Sequence, residues 1–142
     1  GQYEPEQTAW RTIKGQFFRV SFSLFYYEYT ILQKSNDFLG VKVAGLEDIA
    51  AMKINAIEDR GSKRDFIDLY FLSKMFSFPE MFEFYDRKYH CWENHKYNIL
   101  KSLNYFEDAD GEDSPRMFKP VNWPKVKVFF QKEVKKLSLD LV

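Results

Sequence analysis

The chain has 142 residues, a length typical of one domain or of part of one. Hydrophobic residues make up 45% of it and aromatic residues 19%, which excludes an intrinsically disordered protein. Lys and Arg together number 21, as do Asp and Glu, so the chain is not a polycation that coats nucleic acid, and any such contact must be local. The single cysteine, Cys91, excludes an internal disulfide and fits a reducing compartment.

The sequence shows no sign of membrane insertion or export. No apolar run approaches the roughly 18 residues of a transmembrane helix. The N-terminal residues, Gly-Gln-Tyr-Glu-Pro-Glu, lack the basic start and the apolar stretch of a signal peptide. We therefore expect a cytoplasmic protein without a membrane partner.

The first third of the chain predicts β-strands. Residues 8–14 and 16–25 flank Lys14-Gly15, which is a plausible hairpin turn. In the second of these runs apolar and polar residues alternate, so the apolar side chains lie on one face. Residues 41–43 predict a third, short strand that ends at Ala44-Gly45.

The rest of the chain predicts helices. They cover residues 46–60, 63–76, 77–89, 92–106 and 122–136 in approximate bounds, and Glu107 to Asp113 reads as a solvated acidic loop. Gly61 suits the end of the first helix, and Ser77 with Glu80 has the form of a capping box. We expect an α+β fold with a small, mainly antiparallel sheet (about residues 8–43) followed by a bundle of about five helices (about residues 46–138). We take residues 1–142 as a single domain.

The first predicted helix carries a cation on its apolar face. At about 100° per residue, Leu46, Ile49, Ala50, Ile54 and Ile57 share one face, and Asp48, Asn55, Glu58 and Asp59 lie opposite, in water. Lys53 falls within the apolar face, and Arg60 follows on the same stripe. The lysine either reaches solvent along its apolar neighbours or points into a cleft where it meets an anion.

The second predicted helix is apolar on nearly every side, yet its first turns carry Arg64, Asp65 and Asp68. Asp65 and Asp68 share a face, and Arg64 can pair with Asp68 four residues later. Acids in a first turn also favour the helix dipole. With Lys53 and Arg60, these residues form either an anion-binding site or an internal cluster of salt bridges.

The same residues carry a resemblance to a known family. Asp48-Ile49-Ala50-Ala51-Met52-Lys53 followed by Arg60-Gly61-Ser62-Lys63-Arg64-Asp65-Phe66-Ile67-Asp68-Leu69 resembles the AbiEii/AbiGii toxin family of nucleotidyltransferases. The likeness extends to Arg19-Val20-Ser21-Phe22 and to Tyr105-Phe106-Glu107-Asp108-Ala109-Asp110, so it covers most of the chain.

The resemblance implies a polymerase-β-like nucleotidyltransferase fold and transfer of a nucleotidyl group from a nucleoside triphosphate to an acceptor, with RNA as one acceptor. It also implies Mg as cofactor of the complete enzyme, an antitoxin partner and a role in bacterial abortive infection. By position, Lys53 resembles the lysine that contacts the triphosphate, Asp65 the motif acid and Asp68 a supporting carboxylate. Arg60 and Arg64 would pair with these acids or with phosphate.

One family motif is missing. The family's first motif, a glycine turn followed by paired Asp residues, holds the metal, whereas the six glycines here are never adjacent and Ser21 stands where a third metal carboxylate is usual. We therefore predict no metal ligands in this chain, which would be inactive alone. It is either the C-terminal part of a longer enzyme, as the Gly1 start allows, or an inactive protein-interaction module on the same fold.

Two further features have simpler interpretations. His90, Cys91 and His95 lie close in sequence, but structural zinc needs four ligands at recognised spacing, so we do not expect a metal there. The last helix carries five lysines among its aromatic residues, which favours an amphipathic helix docked by its aromatic side over an RNA contact.

Overall fold

A computed structural model describes residues 3–9 and 11–140, with side chains from residue 11 to residue 139. Two small antiparallel sheets on the N-terminal side precede six helices in this part of the chain, which confirms the mixed α+β class. The contacts group the chain into two compact units, Gly1–Thr30 and Ile31–Val142. The single domain over residues 1–142 therefore stays a prediction.

The first unit is a three-stranded antiparallel sheet. Its strands β1 (Tyr3–Ala9), β2 (Thr12–Phe17) and β3 (Val20–Phe25) are joined in the order β1-β2-β3. The predicted turn at Lys14-Gly15 is wrong, because both residues lie inside β2 and pair with Ser23 and Phe22.

The tight turn lies instead between Phe17 and Val20. The residues at its centre, Phe18 and Arg19, have φ of 48° and 64°, as the two central residues of a type I′ hairpin require. The twist of the flanking strands selects this turn, and neither residue carries the Asn-Gly signal that usually announces it.

The second unit begins with a hairpin that the sequence predicted only in part. Strand β5 (Val41–Val43) is confirmed, whereas its partner β4 (Asn36–Phe38) was not predicted. The turn between them is closed by the Asp37 carboxylate, which accepts a hydrogen bond of 3.0 Å from the backbone N–H of Gly40.

Six helices follow the second hairpin. They are α1 (Leu46–Asp59), α2 (Lys63–Leu72), α3 (Phe78–Tyr89), α4 (Trp92–Ser102), α5 (Glu107–Asp110) and α6 (Trp123–Asp140). Among the described residues, none of these helices has the length and apolarity needed to cross a membrane.

The helix ends follow local signals where those signals were strong. Gly61, at φ 55°, ends α1, and the capping box of Ser77 and Glu80 begins α3, both as predicted. The helices α2 and α4 end earlier than predicted, at Leu72 and Ser102. The expected loop from Glu107 includes the short helix α5, and α6 continues to Asp140.

The core of the second unit is aromatic. The ring of Phe66 in α2 lies 5.1 Å from the rings of Phe106 and Phe130, between centroids. Ala50, Ala51 and Ile54 of α1 are fully buried against this cluster. These contacts fix α2 against α1 and so set the distance between the charged residues that the two helices carry.

The rotation of α1 differs from the prediction at its N-terminal end. Asp48, which we expected in water, is fully buried, whereas Leu46, which we expected in the core, is 44% exposed. The Asp48 carboxylate accepts hydrogen bonds from the backbone N–H groups of Leu32 and Gln33, at 3.0 and 3.2 Å, and from Lys88 Nζ at 2.6 Å. These three donors compensate the carboxylate of Asp48 for its lost hydration, so Asp48 can be buried.

Candidate functional site

Lys53 meets both acids of the following helix. Its Nζ lies 3.0 Å from Asp65 Oδ1 and 2.6 Å from Asp68 Oδ2. Lys53 thus pairs with carboxylates of the next helix, as in the cluster of salt bridges that the sequence left open beside an anion-binding site. The structure brings Lys53, Asp65 and Asp68 into one cluster, and their chemical roles stay predictions.

The connection between the helices explains this meeting. Only Arg60, Gly61 and Ser62 separate α1 from α2, and Gly61 reverses the chain in the left-handed conformation that a glycine adopts easily. Ser62 is the N-cap of α2, and its hydroxyl accepts the backbone N–H of Asp65. The short connection thus presents the first turns of α2 to the middle of α1.

The three side chains differ in exposure. Asp65 is 3% exposed, Lys53 22% and Asp68 42%, so the ammonium spans from a buried acid to a solvated one. Burial alone would raise the pKa of Asp65, but hydrogen bonds from Ser62 and Lys53 and the charge of Lys53 hold it below its usual value. Burial alone would lower the pKa of Lys53, but its bonds to Asp68 and Asp65 raise it. At neutral pH Lys53 is therefore a cation and Asp65 an anion.

Arg60 and Arg64 lie at the outer side of this cluster. Arg60 is exposed, with its Nε 3.5 Å from Asp65 Oδ2. Arg64 is also exposed, and the pair with Asp68 that its spacing allowed does not form among the described residues, because Asp68 is turned toward Lys53. Both arginines line a cavity of about 390 Å³, together with Ser62, Glu112, Asp113 and Pro115.

The acidic segment from Glu107 contributes to this region in a way that the sequence did not predict. The Glu112 carboxylate accepts the backbone N–H of Lys63 at 2.8 Å, and Lys63 Nζ donates to the backbone carbonyl of Glu112. Lys63 is 6% exposed in consequence. A helix begins with N–H groups that need acceptors, but sequence alone does not show which distant acid supplies one.

His95 and Cys91 belong to a hydrogen-bonded cluster on another face of α1. His95 Nδ1 lies 2.7 Å from Glu58 Oε1, and the hydroxyl of Tyr85 donates to Glu58 Oε2 at 3.2 Å. The thiol of Cys91 donates to the Tyr85 oxygen, at 3.4 Å. Burial raises the pKa of Tyr85, as do its bond to Cys91 and the charge of Glu58. Glu58 is thus part of this cluster and is only partly solvated.

The described residues do not fit a divalent metal site. No group of three or more His, Cys, Asp and Glu side chains in this part of the chain could hold a metal ion. Asp65 and Asp68 of the candidate site are both paired with Lys53. An ammonium group bound to both carboxylates occupies oxygens that a Mg²⁺ ion would need and adds a positive charge that repels it.

The lysine-rich last helix has a structural role. Val126 and Phe130 of α6 are fully buried in the core. The side chain of Lys127 binds the Asp110 carboxylate at 2.9 and 3.0 Å, and Trp123 Nε1 donates to the same carboxylate. The helix is therefore amphipathic and packs on the core by its apolar side, as we preferred from the sequence.

The comparisons with known proteins define the class. The sequence model of the family described as "Nucleotidyl transferase AbiEii toxin, Type IV TA system" matches residues 18–138. The chain belongs to this family, as its motifs indicated.

One relative is similar over much of the chain. It is an uncharacterized protein of Aquifex aeolicus (strain VF5), 42% identical over 122 residues, which are 82% of this chain and 56% of the relative. The chain thus spans a little over half the length of the curated relative that it matches. No solved structure matches it significantly.

Proposed function

We propose that this chain provides the triphosphate-binding part of a nucleotidyltransferase, which transfers a nucleotidyl group from a nucleoside triphosphate to an acceptor. Membership in the AbiEii family supports the activity at the level of class. The observation that carries the proposal is the ammonium of Lys53, held 3.0 Å from the buried Asp65 and 2.6 Å from the half-exposed Asp68.

The two acids that bind Lys53 differ in burial, so a ligand from solvent can replace one of them more easily than the other. Asp65 is almost completely buried and stays with Lys53, whereas Asp68 lies at the solvent side. An arriving phosphate competes with Asp68 for the ammonium, because both are anions that approach from solvent. Lys53 then bridges the buried carboxylate and the phosphate, and Asp68 becomes available to orient the acceptor hydroxyl.

Arg60 and Arg64 extend the cationic side of the site. Both are exposed, and both line the cavity that Ser62 also lines. A guanidinium group can bind two oxygens of one phosphate through two parallel hydrogen bonds. These two arginines therefore suit the outer phosphates of a nucleotide. In the proposal they hold the triphosphate while Lys53 neutralises the charge that develops on it.

The finer assignments also belong to the proposal. Mg²⁺ is the metal of the full-length enzyme in this proposal, and its ligands belong to the family's first motif, which the given sequence does not contain. The acceptor is RNA, the protein works in the bacterial cytoplasm during abortive infection, and an antitoxin opposes it. The family description, a type IV toxin–antitoxin system, supports the last point.

Isothermal titration with MgATP and the other Mg-nucleoside triphosphates tests the proposal. We expect saturable binding that Lys53→Ala abolishes and that Lys125→Ala leaves unchanged, since Lys125 is an exposed lysine of α6. Circular dichroism of both variants controls for folding. Equal binding by wild type and Lys53→Ala would disprove the role of the lysine.

A second candidate function rests on the sequence itself. No two of the six glycines are adjacent, so the glycine turn and paired aspartates of the family's first motif are absent. An inactive protein-interaction module on the same fold would show no saturable binding at millimolar nucleotide. The same titration therefore separates the two candidates.

A further inference from the structure

We propose that Ser62 is a positioning residue of this site: its hydroxyl holds the Asp65 carboxylate in the orientation that fixes Lys53. The inference rests on the proposed function for its consequence in nucleotide binding. The hold on Asp65 itself can be measured without any nucleotide.

The hydroxyl of Ser62 makes two bonds to the same residue. It accepts the backbone N–H of Asp65 at 3.3 Å and donates to Asp65 Oδ2 at 2.5 Å. The other oxygen, Oδ1, receives Lys53 Nζ at 3.0 Å. Each oxygen of the buried carboxylate thus has a different donor, and rotation of the carboxylate would break both bonds.

Removal of the Ser62 hydroxyl would leave Arg60 as the nearby donor to Asp65 Oδ2. Arg60 Nε lies 3.5 Å from Asp65 Oδ2, and Arg60 is 70% exposed and able to move closer. Without Ser62 the carboxylate can turn toward Arg60 and away from Lys53. The ammonium would then depend on the more exposed Asp68 and lose its fixed position.

The chain contains a matched control for the capping role of this serine. Ser77 begins α3 with the same pair of bonds: its hydroxyl donates to Glu80 Oε2 at 2.7 Å and accepts the Glu80 backbone N–H at 3.4 Å. That acid is exposed and has no bond to a lysine among those found in the described residues. Loss of Ser77 removes a helix cap, whereas loss of Ser62 also releases an acid of the candidate site.

The experiment compares Ser62→Ala, Ser62→Thr and Ser77→Ala with the wild type. Carboxyl carbon NMR follows the titration of Asp65, ammonium NMR follows the hydrogen exchange of Lys53, and calorimetry gives the affinity for MgATP. We expect Ser62→Ala to raise the pKa of Asp65, to speed exchange at Lys53 and to weaken MgATP binding about tenfold, the scale of one lost bond to a charged group. Ser62→Thr should restore all three, and Ser77→Ala should change none of them.

The outcomes separate this inference from the proposed function. If Ser62→Ala lowers the melting temperature but leaves the titration of Asp65 and the exchange of Lys53 unchanged, Ser62 is only a cap and the inference is wrong. If the wild type binds no nucleotide while both NMR signals respond, the proposed function fails and the hold of Ser62 on Asp65 stands. If Ser62→Ala does not fold, Ser62→Gly replaces it, since glycine is a tolerated N-cap without a hydroxyl.

Discussion

Lys88 Nζ lies 2.6 Å from Asp48 Oδ1, and neither side chain is exposed to solvent. This ion pair joins the first turn of α1 to the last turn of α3 across 40 residues of sequence. Two backbone N–H groups, of Leu32 and Gln33, complete the shell of the carboxylate. Burial alone would raise the pKa of Asp48, yet these bonds hold it below its usual value, so the acid is charged inside the protein.

We expect Asp48→Asn to lower the free energy of unfolding by about 3–5 kcal/mol, because loss of one partner leaves the other buried without its counter-charge. Urea denaturation followed by circular dichroism measures the change. Glu93→Gln is the control, since the Glu93–Lys96 pair lies on the surface and should contribute no more than about 1 kcal/mol. Equal losses in the two variants would contradict the importance that we give to burial.

The two acids of the candidate site should differ in their contribution to stability. We expect Asp65→Asn to cost about 3 kcal/mol, since Asp65 is 3% exposed, and Asp68→Asn to cost less than about 1 kcal/mol, since Asp68 is 42% exposed. Chemical denaturation gives both values. A larger loss for Asp68→Asn would mean that the half-exposed acid, rather than Asp65, anchors the lysine.

Acid should destabilise the fold through Asp65. Its pKa in the folded protein lies below that of the unfolded chain, about 3.9, so its contribution is complete above that value and is lost as the pH falls through the folded pKa. We expect the free energy of unfolding to decrease from about pH 4 downward and the decrease to be less steep in Asp65→Asn. An unchanged slope in that variant would show that other groups dominate the acid transition.

Gly61 should resist replacement by alanine. At φ 55° an added side chain costs about 1–2 kcal/mol, whereas its nearest neighbours, Ile57 O and Phe66 Cε2, lie at an ordinary contact distance of 3.5 Å. Gly111→Ala is the control, because Gly111 has φ −76° and similar free space. Thermal unfolding should show a lower midpoint for Gly61→Ala alone, and equal midpoints would refute the conformational argument.

The candidate site could be predicted from sequence because its geometry is local. Helical periodicity placed Lys53 on the inner face of α1, and a short connection brought the acids of α2 beside it. The burial of Asp48 could not be predicted in this way, because the hydrogen-bond donors to its carboxylate lie 15, 16 and 40 residues away in sequence. An argument from helical periodicity assigns every acid to the solvent face. It therefore fails for a carboxylate whose hydration is replaced by hydrogen bonds from residues distant in sequence.

The turn in the first sheet shows a second limit of local signals. Lys14-Gly15 has a residue type that favours turns, but strand pairing on both sides of β2 places Gly15 inside the sheet. The turn falls at Phe18 and Arg19, two residues without turn preference. Pairing across strands outweighs the preference of a single glycine here.

The amide groups of Leu32 and Gln33 have a practical consequence for anyone who shortens this polypeptide. A fragment that starts at Ile31 keeps both donors to Asp48. One that starts after Gln33 removes them and leaves Lys88, of these three donors, to compensate the charge of the buried carboxylate. Trimming by three residues should therefore decide whether the helical part is recovered from the soluble or the insoluble fraction of an expression culture.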